Sequence, residues 1–358
     1  ARVMEDEAKS LNVTDFGSSF SLPMDMQFNQ AKLLTVIIYS VLMLIGGVAN
    51  INVFYMLLRL HLRGRGTKLN YLLLHLSIAD LLVVFLLMPS EIIWSLTVRW
   101  KAGDFMCRVV AFLRIFGLYL SNFVLVVICI NRYYAIMHPL KTKSMKSKVK
   151  FFAYGAWFMS AICSLPQLLV FSVQPHPNFI WYEQCVTFGA LQEPTAGLAY
   201  ISFGILFIYL LPLAVIIFTY VCICWKIYQK ARTNRTTKRH PYLSRSTKVD
   251  SLNRAKIKTL KMTVVIVLVF IICWTPYHVM CLWYWLDMDS ANQVDYRVSK
   301  ILYMFACANS CMNPIVYRSH IKYTPKNAPF SLRDYFPLVS LRERLLNTPT
   351  DSRNSSIL

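Results

Sequence analysis

Seven stretches of sustained apolar sequence, at residues 33–58, 69–94, 105–137, 151–172, 197–226, 257–286 and 298–317, limit what this chain can fold into. Each reaches the roughly 20 residues that an α-helix needs to cross the hydrocarbon core of a bilayer. The runs are continuous and lack the alternation of a membrane β-barrel strand. With 56% of 358 residues hydrophobic and only 15% charged, a soluble fold has nowhere to put the apolar surface. The sequence therefore predicts an all-α membrane protein, a bundle of seven transmembrane helices. Pro89, Pro166, Pro212, Pro276 and Pro314 lie within the runs. They are expected as kinks, since neighbouring groups in a membrane bundle can satisfy the carbonyls that proline frees.

Charge placement orients the bundle. The chain carries 38 Lys and Arg against 17 Asp and Glu, and the basic residues gather in alternate loops. Arg59, Arg63, Arg65 and Lys68 follow the first run, Lys141, Lys143, Lys146, Lys148 and Lys150 follow the third, and residues 226–261 hold twelve Lys and Arg against Asp250 alone. The opposite side carries Glu5, Asp6, Glu7, Asp15, Asp25, Glu183, Glu193, Asp287, Asp289 and Asp295. By the positive-inside rule the N-terminus is outside and the C-terminus inside. Residues 1–32 then form an extracellular segment, 33–317 the membrane domain and 318–358 a cytoplasmic tail. Residues 1–30 are polar and lack an apolar signal-peptide core, so the first helix is expected to act as its own insertion signal. The net charge of +21 reads as a cytoplasmic face for anionic lipid and acidic partner surfaces, and a nucleic-acid function is set aside.

Of ten cysteines, only Cys107 and Cys185 are expected to meet the oxidising side, where they can pair. The others fall within spans as small buried thiols, with no ligand-spaced metal set. Asn12-Val13-Thr14 is a glycosylation sequon on the outer side.

Polar residues within the spans are the functional candidates, because ionisable groups at membrane depth are costly. Asp80 sits mid-span, with Asn50, Ser121, Asn309, Ser310 and Asn313 at similar depth on other runs. A carboxylate among hydroxyl and amide oxygens suits a small hard cation such as sodium, which is the preferred reading over a merely structural hydrogen-bonded cluster. Nearer the outside, Glu91 and Arg114 are expected to pair or to be bridged by a polar ligand. Trp274, Tyr277, His278, Tyr284, Tyr303 and Phe305 collect at that level. Trp283 and Trp285 fit an interfacial belt as well as a cavity lining.

Taken in order, Asn50, Leu76-Ser77-Ile78-Ala79-Asp80, Asn131-Arg132-Tyr133, Trp157, Pro212 with Tyr220, Cys273-Trp274-Thr275-Pro276 and Asn313-Pro314-Ile315-Val316-Tyr317 resemble the rhodopsin-like (class A) G-protein-coupled receptors over residues 33–322. Within that class, Met88-Pro89-Ser90-Glu91, residues 100–107, Pro166-Gln167-Leu168, residues 259–263 and the Trp283-Tyr284-Trp285 triplet resemble the gonadotropin-releasing hormone receptor superfamily. The run 116–126 is most similar to its invertebrate adipokinetic hormone branch. The arrangement of Asp80 and Asn313, and the presence of a tail, favour the same branch.

The resemblance implies roles for these positions. Asp80, Ser121, Asn309 and Asn313 take the sodium site. Arg132, Tyr220, Lys256 and Tyr317 form the inner switch for a heterotrimeric G protein, mainly Gq with Gs as a second option. Glu91, Ser95, Arg114, Gln167, Trp274, Tyr277, His278, Tyr284 and Tyr303 contact the ligand, a short secreted peptide hormone blocked at both ends, with energy mobilisation the implied physiology. Corazonin, the related hybrid peptide and a gonadotropin-releasing hormone-like peptide are the alternatives. Receptor kinases and arrestin are implied partners of a tail bearing Ser340, Thr348, Ser352, Ser355 and Ser356, and a short amphipathic helix is expected after Tyr317. The plasma membrane is the implied location, and no enzymatic activity is expected. A retinal protein would need a lysine deep in the seventh run, where Cys307 stands. Two departures from the pattern stand out. Asn131 replaces the usual acid before Arg132, and Asn122 replaces an apolar residue expected to pack on Pro212 and Phe270.

Overall fold

The computed structural model describes residues 26–138, 145–187, 191, 193–237, 247–291 and 293–320. Asn12, the tail beyond His320 and the sequence expected to form the short amphipathic helix from Ile321 onward lie outside the described residues. The side chain of Lys256 is also outside the description, although its backbone belongs to a helix.

Among the described residues, six long apolar helical stretches are Gln30–Leu62, Lys68–Thr97, Gly103–Met137, Lys148–Val170, Thr195–Gln229 and Leu260–Leu286. The seventh span is Tyr296–Cys307 followed by Asn309–His320, interrupted at Ala308. In hydrocarbon every backbone group must find an internal partner, which is why runs of this composition become helices. Asn29 and Thr67 cap the first two spans, accepting from the amides of Lys32 and Asn70, and Asp295 caps the seventh through Arg297. Leu44, Phe151, Leu169 and Ile217 point outward, while Leu57, Leu72, Leu118 and Phe270 are sealed inside. That apolar exterior suits lipid, where polarity cannot sort inside from outside.

The prolines act in different ways. Pi-helical turns at Val83–Leu87 and Ile205–Leu210 precede Pro89 and Pro212, and the fourth span breaks at Leu165, directly before Pro166. Pro276 and Pro314 instead lie within continuous helices.

Not all of the described chain is helical. Between the fourth and fifth spans, β1 (Ser172–His176) pairs antiparallel with β2 (Phe179–Val186) around Pro177 and Asn178. The aromatic and β-branched run Phe179-Ile180-Trp181-Tyr182 favours a strand once the chain leaves the bilayer. A disulfide joins Cys185 of β2 to Cys107 at the outer end of the third span, with Cα atoms 5.6 Å apart. Asp104 accepts from the amide of Val173 at 2.9 Å, and Arg108 donates to the carbonyl of Leu168 at 2.8 Å. The hairpin is thereby fastened to the bundle's outer end.

Candidate functional site

The outer site is built around Glu91 and Arg114. The guanidinium of Arg114 donates to the Glu91 carboxylate in an ion pair between the second and third spans, and Glu91 is buried. Burying two charges is costly, and their mutual attraction with added hydrogen bonds or rings must offset it. The ring of Trp94 lies 5.7 Å from the Arg114 guanidinium carbon, and Tyr39 and Tyr303 stand beside it. Tyr303 packs on Tyr277 at 5.3 Å, and Tyr277 meets His278 edge-on at 5.3 Å. His278 stacks on Tyr209 at 4.5 Å, and its Nδ1 hydrogen-bonds to the Trp274 carbonyl at 3.0 Å. Gln167, buried, accepts from the Tyr200 hydroxyl at 2.8 Å.

Six of the nine expected ligand residues, Glu91, Arg114, Trp274, Tyr277, His278 and Tyr303, thus form one contiguous wall. Ser95 is buried a turn above Glu91, Gln167 joins from the fourth span through Tyr200, and Tyr284 is half-buried. Trp283 and Trp285 are exposed, the disposition of an interfacial belt. Sequence reasoning missed Tyr39, Trp94, Tyr200 and Tyr209. Trp94 was accessible to it, since it stands three residues from Glu91 on one helix face; the tyrosines are single members of apolar runs and carry no such mark.

Deeper in the bundle, Asp80 is fully buried. Its Oδ1 accepts from the Ser121 hydroxyl at 2.8 Å and its Oδ2 from the Asn313 amide at 3.0 Å. Ser310 also hydrogen-bonds the Asp80 carboxylate, and Asn309, one residue before it, is buried at the start of the second half of span seven. The Oδ1 atoms of Asn50, Asn309 and Asn313 are buried with no hydrogen-bond partner. A carboxylate with nearby orphaned amide oxygens is the donor set of a hard monovalent cation, so these residues fit sodium.

At the inner end, Arg132 lies beside Tyr220 and Cys129, and Tyr317 is fully buried. Asn131 is buried and its Nδ2 has no hydrogen-bond partner. The other departure, Asn122, donates to the carbonyl of Ile208 at 3.0 Å.

A membrane bundle of seven spans, with a polar axis from a closed ion pair outside to a half-buried arginine inside, defines a seven-helix receptor. The model of the 7 transmembrane receptor (rhodopsin family) matches residues 49–317. Over 259 residues the chain is 34% identical to the gonadotropin-releasing hormone II receptor of Clarias gariepinus, covering 71% of this chain and 68% of that one. It is 32% identical over 255 residues to the gonadotropin-releasing hormone receptor of Sus scrofa (70% and 76% covered). For the Mus musculus receptor of the same name the figures are 34% over 263 residues (71% and 78%). The chain belongs to the rhodopsin family of seven-transmembrane receptors and, within it, to the group of the gonadotropin-releasing hormone receptors. It is accordingly a multi-pass plasma-membrane protein of a receptor family, not of an enzyme family.

Proposed function

We propose that the chain is the receptor for a short amidated peptide hormone of the adipokinetic hormone type, signalling mainly through Gq family proteins and calcium. The observation that carries this reading is the pair of buried Glu91 and half-buried Arg114, walled by Trp94, Tyr277 and Tyr303. A peptide blocked at both ends has no terminal charge to neutralise such a pair. Its amides and carbonyls can instead share the hydrogen-bonding capacity of the two ions while the aromatic wall buries its Phe or Trp. The similarity to gonadotropin-releasing hormone receptors supports a peptide ligand, and the run 116–126 supports the adipokinetic hormone branch. Agonist binding favours a state in which Arg132, Tyr220, Lys256 and Tyr317 receive a G-protein helix, with Gs as a secondary partner.

On this reading Asp80, Ser121, Asn309 and Asn313 would hold a sodium ion, whose charge neutralises the carboxylate in the resting bundle. Residues 1–32 face outward with Asn12 glycosylated, 33–317 form the receptor domain, and kinases and arrestin act on 318–358.

The test is calcium release in cells displaying this chain, challenged in parallel with adipokinetic hormone, corazonin, the hybrid peptide and a gonadotropin-releasing hormone. Response to the first at far lower concentration than the rest is expected. Preference for another peptide moves the assignment to that branch, and silence toward all four with the receptor at the surface overturns the ligand reading.

A further inference from the structure

The amide of Gln184, one residue before the disulfide-bonded Cys185, is used at both ends. Its Oε1 accepts from the Trp94 indole Nε1 at 2.7 Å, and its Nε2 donates to the Val98 carbonyl at 2.8 Å. Val98 has a φ of 63°, a left-handed conformation unfavourable for a β-branched residue and held only when its surroundings fix it. Trp94 is half-buried, meets Trp100 edge-on at 5.7 Å, and presents its ring to Arg114. The amide of Trp100 in turn donates to the carbonyl of Glu183 at 2.8 Å. Gln184 therefore stands between the covalently fixed hairpin and the indole over the half-buried guanidinium.

We propose that Gln184 is a positioning residue for ligand recognition, locking the Trp94 indole over Arg114 so that the outer hairpin sets the geometry of the Glu91–Arg114 pair. This rests on the reading of that pair as the peptide contact. An indole aligned with a guanidinium stabilises it through the ring's negative face, and a free indole samples other rotamers. The amide side chain suits the task because it offers an acceptor to the indole and a donor to Val98 together.

The test uses the full epitope-tagged chain, with calcium responses to synthetic adipokinetic hormone normalised to surface level. Gln184→Met and Trp94→Phe each remove the indole bond and are expected to raise the half-maximal concentration about fivefold, the worth of one hydrogen bond. The double variant should go no further. Additive shifts or an unaffected Trp94→Phe would each overturn the proposal in favour of a loop-scaffolding role. A second readout needs no ligand. In receptor labelled with 5-fluorotryptophan, the 19F resonance that Trp94→Phe removes should move in Gln184→Met, and a stationary resonance overturns the positioning role. A wild-type chain silent to the peptide, with a resonance that moves, places the failure in the ligand reading instead.

Discussion

The side-chain amide of Asn122 donates to the carbonyl of Ile208 at 3.0 Å, the carbonyl that Pro212, four residues on and without an N–H, cannot serve. The same device recurs between the first and seventh spans, where the Asn50 amide donates to the carbonyl of Ser310 at 3.0 Å, four residues before Pro314. In each case an asparagine from a neighbouring span replaces a donor that proline removes. The next residue, Tyr209, donates to the Thr275 hydroxyl at 2.6 Å, because that hydroxyl's own proton is given to Ile271. The pi-helical turn of span five is thus fastened to spans three and six at successive residues. Asn122→Leu should destabilise the detergent-solubilised receptor by about 1 kcal/mol. In a Pro212→Ala background, where residue 212 supplies its own N–H, the same substitution should cost almost nothing. Equal losses in the two backgrounds, measured by thermal denaturation, would show that the bond does not serve the proline carbonyl.

Asn131 offers Arg132 no negative charge, and its own Nδ2 is buried without a hydrogen-bond partner. An acid at this position would hold the arginine in the resting arrangement by a charge-assisted bond. Unliganded receptor should therefore produce inositol phosphate above mock-transfected cells, and Asn131→Asp should lower that basal level severalfold while preserving the response to saturating agonist. Basal signal equal to mock, unchanged in the variant, would remove this reading.

The membrane class and the seven spans were legible in the sequence because long apolar runs are the pattern a bilayer imposes. The placement of Glu91 opposite Arg114 was also legible, since two lone charges at one depth have few other ways to be buried. The hairpin was not, because its strands are short and lie outside lipid, where apolarity carries no signal. Nor was the role of Asn122. Sequence marks an unusual amide but cannot show that its partner is a carbonyl on another helix, and only tertiary register brings it to Ile208. The break at Ala308 escaped for a similar reason: Pro314 is the visible breaker, yet the helix runs through it.

Sodium should oppose agonist binding if Asp80 and its orphaned neighbours hold the ion in the resting state, because coupling between two ligands is reciprocal. Replacing sodium with N-methylglucamine at constant ionic strength should raise agonist affinity about fivefold in wild-type membranes. Asp80→Asn should abolish the difference, the amide being a weaker ligand for a hard cation. A sodium effect of equal size in Asp80→Asn would place the ion elsewhere.

Span one approaches span seven closely enough that a Cβ added at Gly46 would lie 2.5 Å from the Sγ of Cys311 and 3.2 Å from a methyl of Val84. Close approach through small residues is how helices associate without a hydrophobic drive between them. The Cys311 thiol also donates to the carbonyl of Leu42 at 3.4 Å, so it cannot turn aside without losing that contact. Gly46→Ala should therefore destabilise the receptor by about 1–3 kcal/mol through overpacking, despite alanine's better helix propensity, which alone would favour the substitution by about 1 kcal/mol. Cys311→Ala removes the obstructing sulfur and should recover most of that loss when combined with Gly46→Ala. The Asn50 bridge to Ser310 lies one helical turn from Gly46, and any separation of the two spans would weaken it. Thermal denaturation of the four variants measures the coupling, and strict additivity between the two substitutions would mean that the spans do not meet at these residues.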